Sequence, residues 1–125
     1  MTIIIDSTSY DVPVLSLKRS ADILDKYAER TENGVLHREL IGVYFNYKLK
    51  LGQTLNKSVY DALWTKLTEA VEFHTVTVPN EDGYDYTFTA YFAGVGDELE
   101  IIKATGNFWR DLTVNFIAKS PAIVP

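Results

Sequence analysis

The alternating run from Leu36 to Leu51, LHRELIGVYFNYKLKL, constrains the fold more than any other part of the chain. Ile41, Val43, Phe45, Tyr47, Leu49 and Leu51 fall on one face, and Arg38, Gly42, Asn46, Lys48 and Lys50 on the other. A period of two places successive side chains on opposite sides of an extended backbone, so this is a half-buried β-strand, and a long one. A strand of that length needs antiparallel neighbours that share its apolar face, and the rest of the chain supplies them.

In YDYTFTAYFAG, Tyr84, Tyr86, Phe88, Ala90 and Phe92 alternate with Asp85, Thr87 and Thr89. In DLTVNFIAK, Leu112, Val114, Phe116 and Ala118 point one way and Asp111, Thr113, Asn115 and Lys119 the other, with Ile117 out of step. Shorter strands are expected in TIIID and, after the polar turn DSTS, in YDVPVLSL. There Pro13 argues for an edge or a bulge because it cannot donate to a ladder. VEFHTVTV reads as a strand rich in β-branched residues, and PNEDG after it has hairpin-loop composition, so it should pair antiparallel with the Tyr84 strand. In NKSVYDALWTKLTEA the apolar residues Tyr60, Leu63, Trp64 and Leu67 recur at three and four, and Ser58 with Asp61 has capping-box spacing, which predicts a helix of about three turns. The expected fold is mainly β, a β-sandwich or partly closed antiparallel barrel, with one amphipathic α-helix packed against it. Phe45, Phe88, Trp64 and Phe116 are the expected aromatic anchors of the core.

The chain has 125 residues, 46% hydrophobic and 23% charged, the composition of one globular domain spanning residues 1–125. It has no cysteine, which excludes disulfides, thiolate catalysis and cysteine-ligated zinc. A net charge of −5 argues against specific nucleic-acid binding. Lys18 and Arg19, flanked by Asp22 and Asp25, read as a mixed-sign solvated surface. Asp6 interrupts the opening apolar residues before a signal peptide or membrane span could form, so synthesis in the cytoplasm and no membrane partner are expected.

Chemistry-bearing motifs are sparse. The two histidines, His37 and His74, lie in no metal-ligand spacing, and His74 reads as a residue at a strand surface or satisfied at the core edge. GVGDE, Gly94–Glu98, lacks the Lys-Ser or Lys-Thr ending of a phosphate loop and reads as a turn between strands. Asp22, Asp25 and Glu29 have no calcium-loop pattern. Asn56 opens a glycosylation sequon that has meaning only in a secreted chain. No nucleophile elbow, dinucleotide fingerprint or internal repeat is present. The expectation is a non-enzymatic protein without catalytic, metal or cofactor-binding residues and without a small-molecule substrate; convergence of scattered Asp, Ser and His residues into a small hydrolase site is the weakest alternative.

The informative remainder is SLKRSADILDKYAERTENGVLHREL. Between a strand ending near Leu17 and the long strand beginning near Leu36, residues 20–34 are expected to form an extended loop. Long loops in compact domains are functional or disordered, and this one carries Ile23, Leu24 and Tyr27, which a solvated loop does not need. Either a short helix packs them on the same domain, or they dock on a neighbouring subunit. On the second reading Arg19, Asp22, Ile23, Leu24, Asp25, Tyr27, Glu29 and Arg30 form the candidate interface.

YDVPVLSLKRSADILDKYAERTENGVLHRELIGVYFNYKLKLG, LWTKLTEAVEFHTVTVP and FWRDLTVNFIAKSPA together resemble small proteins from the tail-structural region of Firmicutes phages and prophages. The likeness covers nearly the whole chain and is one of overall pattern, without a catalytic motif, so it assigns no individual residue a role. It implies a tail-tube or tail-completion type of protein: a β-sandwich or barrel with one helix, long strands lining a ring, and an extended hairpin reaching the next ring. It further implies self-assembly or assembly with other phage tail proteins, and passage from the host cytoplasm into the virion. A monomeric, acidic, phage-encoded module that occupies a basic site on a host protein is the alternative from a different class.

Overall fold

The computed structural model describes residues 2–52, 57–79, 84–103 and 106–125, with side chains described for all of these except 100–103 and 108. Asn56 and the 80–83 portion of the expected PNEDG loop lie outside the described residues. The elements are β1 (Thr2–Ile5), β2 (Thr8–Asp11), β3 (Val14–Arg30), β4 (Leu36–Leu51), α1 (Lys57–Leu67), β5 (His74–Pro79), β6 (Asp85–Lys103) and β7 (Gly106–Ala118). The strands form one antiparallel sheet in the order β2-β1-β5-β6-β7-β4-β3.

That order forces the sheet to curl. β2 and β3 stand at its two edges, which would be about 29 Å apart if seven strands lay flat. Yet only Val12 and Pro13 separate Asp11 from Val14, and three peptide steps reach at most about 11 Å. The two edges are therefore drawn together without hydrogen bonding to each other, which is a partly closed barrel rather than a sandwich of two sheets. Pro13 sits at this corner, outside any ladder, and its carbonyl accepts from the Gly52 amide at 2.9 Å, tying the corner to the end of β4.

The inward residues form one core. Ile3 and Ile5 of β1, Tyr47, Leu49 and Leu51 of β4, Val76 and Val78 of β5, and Leu112, Val114 and Phe116 of β7 are all buried in it. The alternation expected in β7 is observed through Ala118, and β5 pairs antiparallel with β6 from His74 opposite Ala90 to Pro79 opposite Asp85. α1 contributes Tyr60, Leu63 and Leu67. Ser58 lies inside the first turn, since the helix already includes Lys57, so it is not the cap that its spacing to Asp61 predicts. Of the expected aromatic anchors, Phe116 and Phe88 are buried, whereas Phe45 and Trp64 only flank the core. Tyr84 precedes β6 and is exposed.

Three expectations about strands need correction. YDVPVLSL is not one strand after a DSTS turn: β2 already begins at Thr8 and ends at Asp11, and β3 starts at Val14, because Val12 and Pro13 turn the chain between the two sheet edges. Residues 20–30 are not a loop or a short helix: β3 continues through them to Arg30, paired with β4 from Val14 opposite Leu51 to Arg30 opposite Leu36, with bulges near Ser16 and Asp25. Gly94–Glu98 is not a turn between strands but an irregular stretch inside β6, with register shifts between Ala93 and Gly96 and between Gly96 and Glu98. Gly94 has φ +65, and a Cβ there would lie 2.9 Å from the Asn115 Nδ2, so glycine is required on both counts.

The register also fixes where the two long hairpins go. β4 pairs with β7 only from Tyr47 to Lys50, so the outer parts of β3 and β4 leave the barrel at one end. The outer parts of β6, from Gly96 to Lys103, and of β7, from Gly106, leave at the other, where α1 lies. Phe116→Ala should cost about 3–5 kcal/mol in denaturant titration, whereas Trp64→Ala, half-buried at the barrel end, should cost distinctly less. The β1–β2 turn generates a second prediction. Asp6 and Ser7 have φ 49 and 70, the two-residue hairpin geometry in which glycine is preferred second. Ser7→Gly should raise stability by roughly 0.5 kcal/mol, because relief of the left-handed conformation outweighs glycine's extra freedom in the unfolded chain.

Candidate functional site

The β3–β4 hairpin beyond the barrel is a two-stranded ribbon. At its base Asn46 ends the ladder with β7: its Oδ1 accepts from the Ala118 amide at 2.8 Å, and its Nδ2 donates to Asp22. The C-terminal residues cover the next stretch, where Ala122 N donates to the Val43 carbonyl and Val43 N to the Ile123 carbonyl. Gly42 permits this approach, since a Cβ there would meet the Pro121 Cβ at 2.6 Å. From Gly42 to Leu36 the ribbon then runs about 20 Å with no third strand. Its tip is ordered by Gly34, at φ +82, whose amide donates to the Thr31 carbonyl, and by Arg30, which donates to the Gly34 carbonyl.

All eight expected interface residues lie on β3, the outer strand of the sheet. Asp25 accepts from the Arg38 Nε at 2.5 Å and is half-buried; Arg19, Asp22, Ile23, Leu24, Tyr27, Glu29 and Arg30 are exposed. Ile23 is 56% and Leu24 46% exposed, and Leu36, Leu40 and Ile41 of β4 are exposed as well, so the ribbon carries exposed apolar side chains on both of its strands. Sequence reasoning missed the strand conformation of these residues and their pairing with β4.

At the opposite end, the β1–β2 turn is clasped to β5 and α1. Asp6 Oδ2 lies 2.6 Å from His74 Nδ1, Asp6 Oδ1 accepts from the Thr75 amide at 2.8 Å, and the Asp6 amide donates to the Thr75 carbonyl. The His74 hydrogen bond and then the Thr75 bond hold the Asp6 carboxyl below the usual value. His74 is buried, with its ring stacked on Phe92 at 4.6 Å. His74 is thus satisfied at the core edge, by a carboxylate 68 positions away that no local spacing reveals. Asp6, Glu69 and His74 bring their ligand atoms within 4.8 Å of one another. Lys66 enters the same cluster, its ammonium 3.1 Å from Glu69 and 3.6 Å from Asp6, so the carboxylates already have a cation and the group works as a structural clasp.

A third feature lies beside α1. A cleft of about 220 Å³ is lined by Tyr60, Asp61 and Trp64 of the helix, Asp97 of β6 and Trp109 of β7. The irregularity at Gly94–Gly96 turns Asp97 toward the helix, where the Tyr60 hydroxyl donates to it at 2.9 Å. Burial, then the bond to Asp97, raises the Tyr60 phenol far above its ordinary value, so it stays protonated. Burial also raises the Asp97 carboxyl, against the opposing effect of the Tyr60 hydrogen bond. The sequence gives Trp64 as a core residue and Asp97 as part of a turn, so this convergence was not legible in it.

No family model, curated protein or solved structure matches the chain. Among the described residues no helix is long and apolar enough to cross a membrane.

The clasp makes a pH prediction. Because the Asp6 carboxyl is depressed in the folded state, its contribution is present above the ordinary value of 3.8 and is lost as pH falls through the lower folded value. Asp6→Ala, which strips a buried histidine nitrogen of its partner, should cost about 1–3 kcal/mol at neutral pH. Urea titrations of parent and variant should converge as the pH is brought below 3.8.

Proposed function

We propose that this chain is a non-enzymatic structural subunit, of the phage-tail type its sequence resembles, that assembles with further copies of itself through the β3–β4 ribbon. The observation that carries this is the ribbon's exposed apolar surface on a strand edge with no partner strand. A two-stranded hairpin is marginal in water by itself, and a long open edge bearing Ile23, Leu24 and Tyr27 is a template for another chain. The charges on the same strand support a second copy as the occupant. Lys18, Lys26 and Glu29 are exposed along β3, so the edge offers both signs to an identical surface. The bulges near Ser16 and Asp25 interrupt the edge and restrict which registers can pair, which favours a defined assembly over indiscriminate aggregation.

Asp25 and Leu40 are paired residues, so replacing residues 26–39 with Asn-Gly closes the hairpin directly across them, and Ile23→Thr with Leu24→Thr in the same variant removes the exposed apolar residues that remain on the edge. Every residue removed is exposed, and loop length enters closure entropy only logarithmically, so the melting temperature should change little. Light scattering over a concentration series and negative-stain microscopy should show the parent associating into rings or tubes and the shortened variant remaining a monomer. A shortened variant that associates as the parent does, or a parent that stays monomeric at every concentration, would refute the proposal.

A further inference from the structure

We infer that the cleft between α1 and the β6–β7 hairpin is a binding site for an organic cation, a guanidinium or alkylammonium group held between Trp64 and Trp109 with Asp97 as its counter-charge. Both tryptophans of the chain line this cleft, and among the described residues neither indole stacks on another ring. Trp109 is 38% exposed although it is among the most apolar side chains available for burial. Indole faces carry negative electrostatic potential and attract cations, more strongly where water is partly excluded.

The carboxylates give the cleft its sign. Asp97 forms no ion pair among the described residues, and its one hydrogen bond comes from the neutral Tyr60 hydroxyl. Burial raises its carboxyl, and a cation bound against it would act in the opposite direction. Asp61 stands beside it with Lys57 as its partner, and Asp111 nearby is paired with Arg110; Lys50 shares a surface groove with Asp97 without an ion pair between them, so among the described residues Asp97 is the carboxylate of the group that no cation engages. The volume of about 220 Å³ lies below the roughly 300–1,000 Å³ typical of drug-sized pockets, so it suits the head of a side chain or a small free cation rather than a nucleotide.

Such a group can be a free small molecule or can be carried by a polypeptide. Because the two tryptophans are both in the cleft, intrinsic fluorescence reports on it directly. The parent should give a saturable change with N-acetyl-arginine methylamide and none with the neutral citrulline counterpart. Arginine within Gly-Gly-Arg-Gly-Gly distinguishes the sources: tenfold tighter binding than the free amide points to a polypeptide-borne cation, and equal or weaker binding to a free one. Asp97→Asn keeps an acceptor for Tyr60 and removes the charge; it should retain the parent's melting temperature and lose tenfold or more in affinity. Trp109→Leu, at a half-exposed position, should do the same. An equal response to the citrulline compound, a response to a neutral hexose but not to the arginine probe, unchanged affinity in Asp97→Asn, or no saturable response would each overturn the assignment. None of these outcomes depends on self-association, so failure here and failure of the assembly reading are separable.

Discussion

Val12 and Pro13 join two strands that the sheet order places at opposite edges, and most of the architecture follows from how short that link is. A flat sheet would tear it. Curling brings β2 and β3 together, turns the apolar faces of β1, β4, β5 and β7 toward a single centre, and leaves one end where a helix can complete the burial. Tyr60, Leu63 and Leu67 do so, while Lys66 and the Asp6–His74 contact fasten the helix and the β1–β2 turn to the rim. The hydrophobic core and the polar clasp are consequences of the same closure.

The closed body is smaller than its strands. β3, β4, β6 and β7 are each longer than the barrel needs, and because neighbouring strands run antiparallel the surplus leaves as two hairpins at opposite ends. These hairpins meet different fates. The β6–β7 hairpin lies beside α1 and shares the cleft with it. The β3–β4 ribbon is covered at its base by Pro121–Ile123 and Ala118, and among the described residues it has no third strand beyond Gly42. The molecule is therefore polar along its axis, with an apolar, mixed-charge ribbon at one end and an aromatic, acidic cleft at the other. The outer edge of the ribbon is one of the sheet's two unpaired edges, the other being that of the four-residue strand β2.

Irregularities in the strands place the chemistry. The Gly94–Gly96 distortion converts residues of a strand into a loop-like presentation of Asp97 without ending the strand. The bulges in β3 act in the opposite sense, interrupting an edge that would otherwise pair with any extended segment. Glycine at 94 and 42 is explained by contact, the first with Asn115 and the second with Pro121, and neither contact is visible from local sequence.

What the sequence determined by itself was the central elements that turn one face to the core: β4, β5, the first half of β6, β7 and α1. The period-two alternation of β7, the β5–β6 pairing and the three-and-four spacing of Tyr60, Leu63 and Leu67 were all legible, because burial on one side writes a period into the chain. The outer part of β3 was not legible for the converse reason: both faces of the ribbon meet solvent, so no period selects strand over loop, and only its pairing with β4 makes residues 20–30 extended. The tertiary structure alone decided which distant groups meet. Asp6 reaches His74, and Tyr60, Asp97 and Trp109 share a cleft, because sheet closure and the distortion of β6 act across dozens of residues, beyond the range of any local pattern.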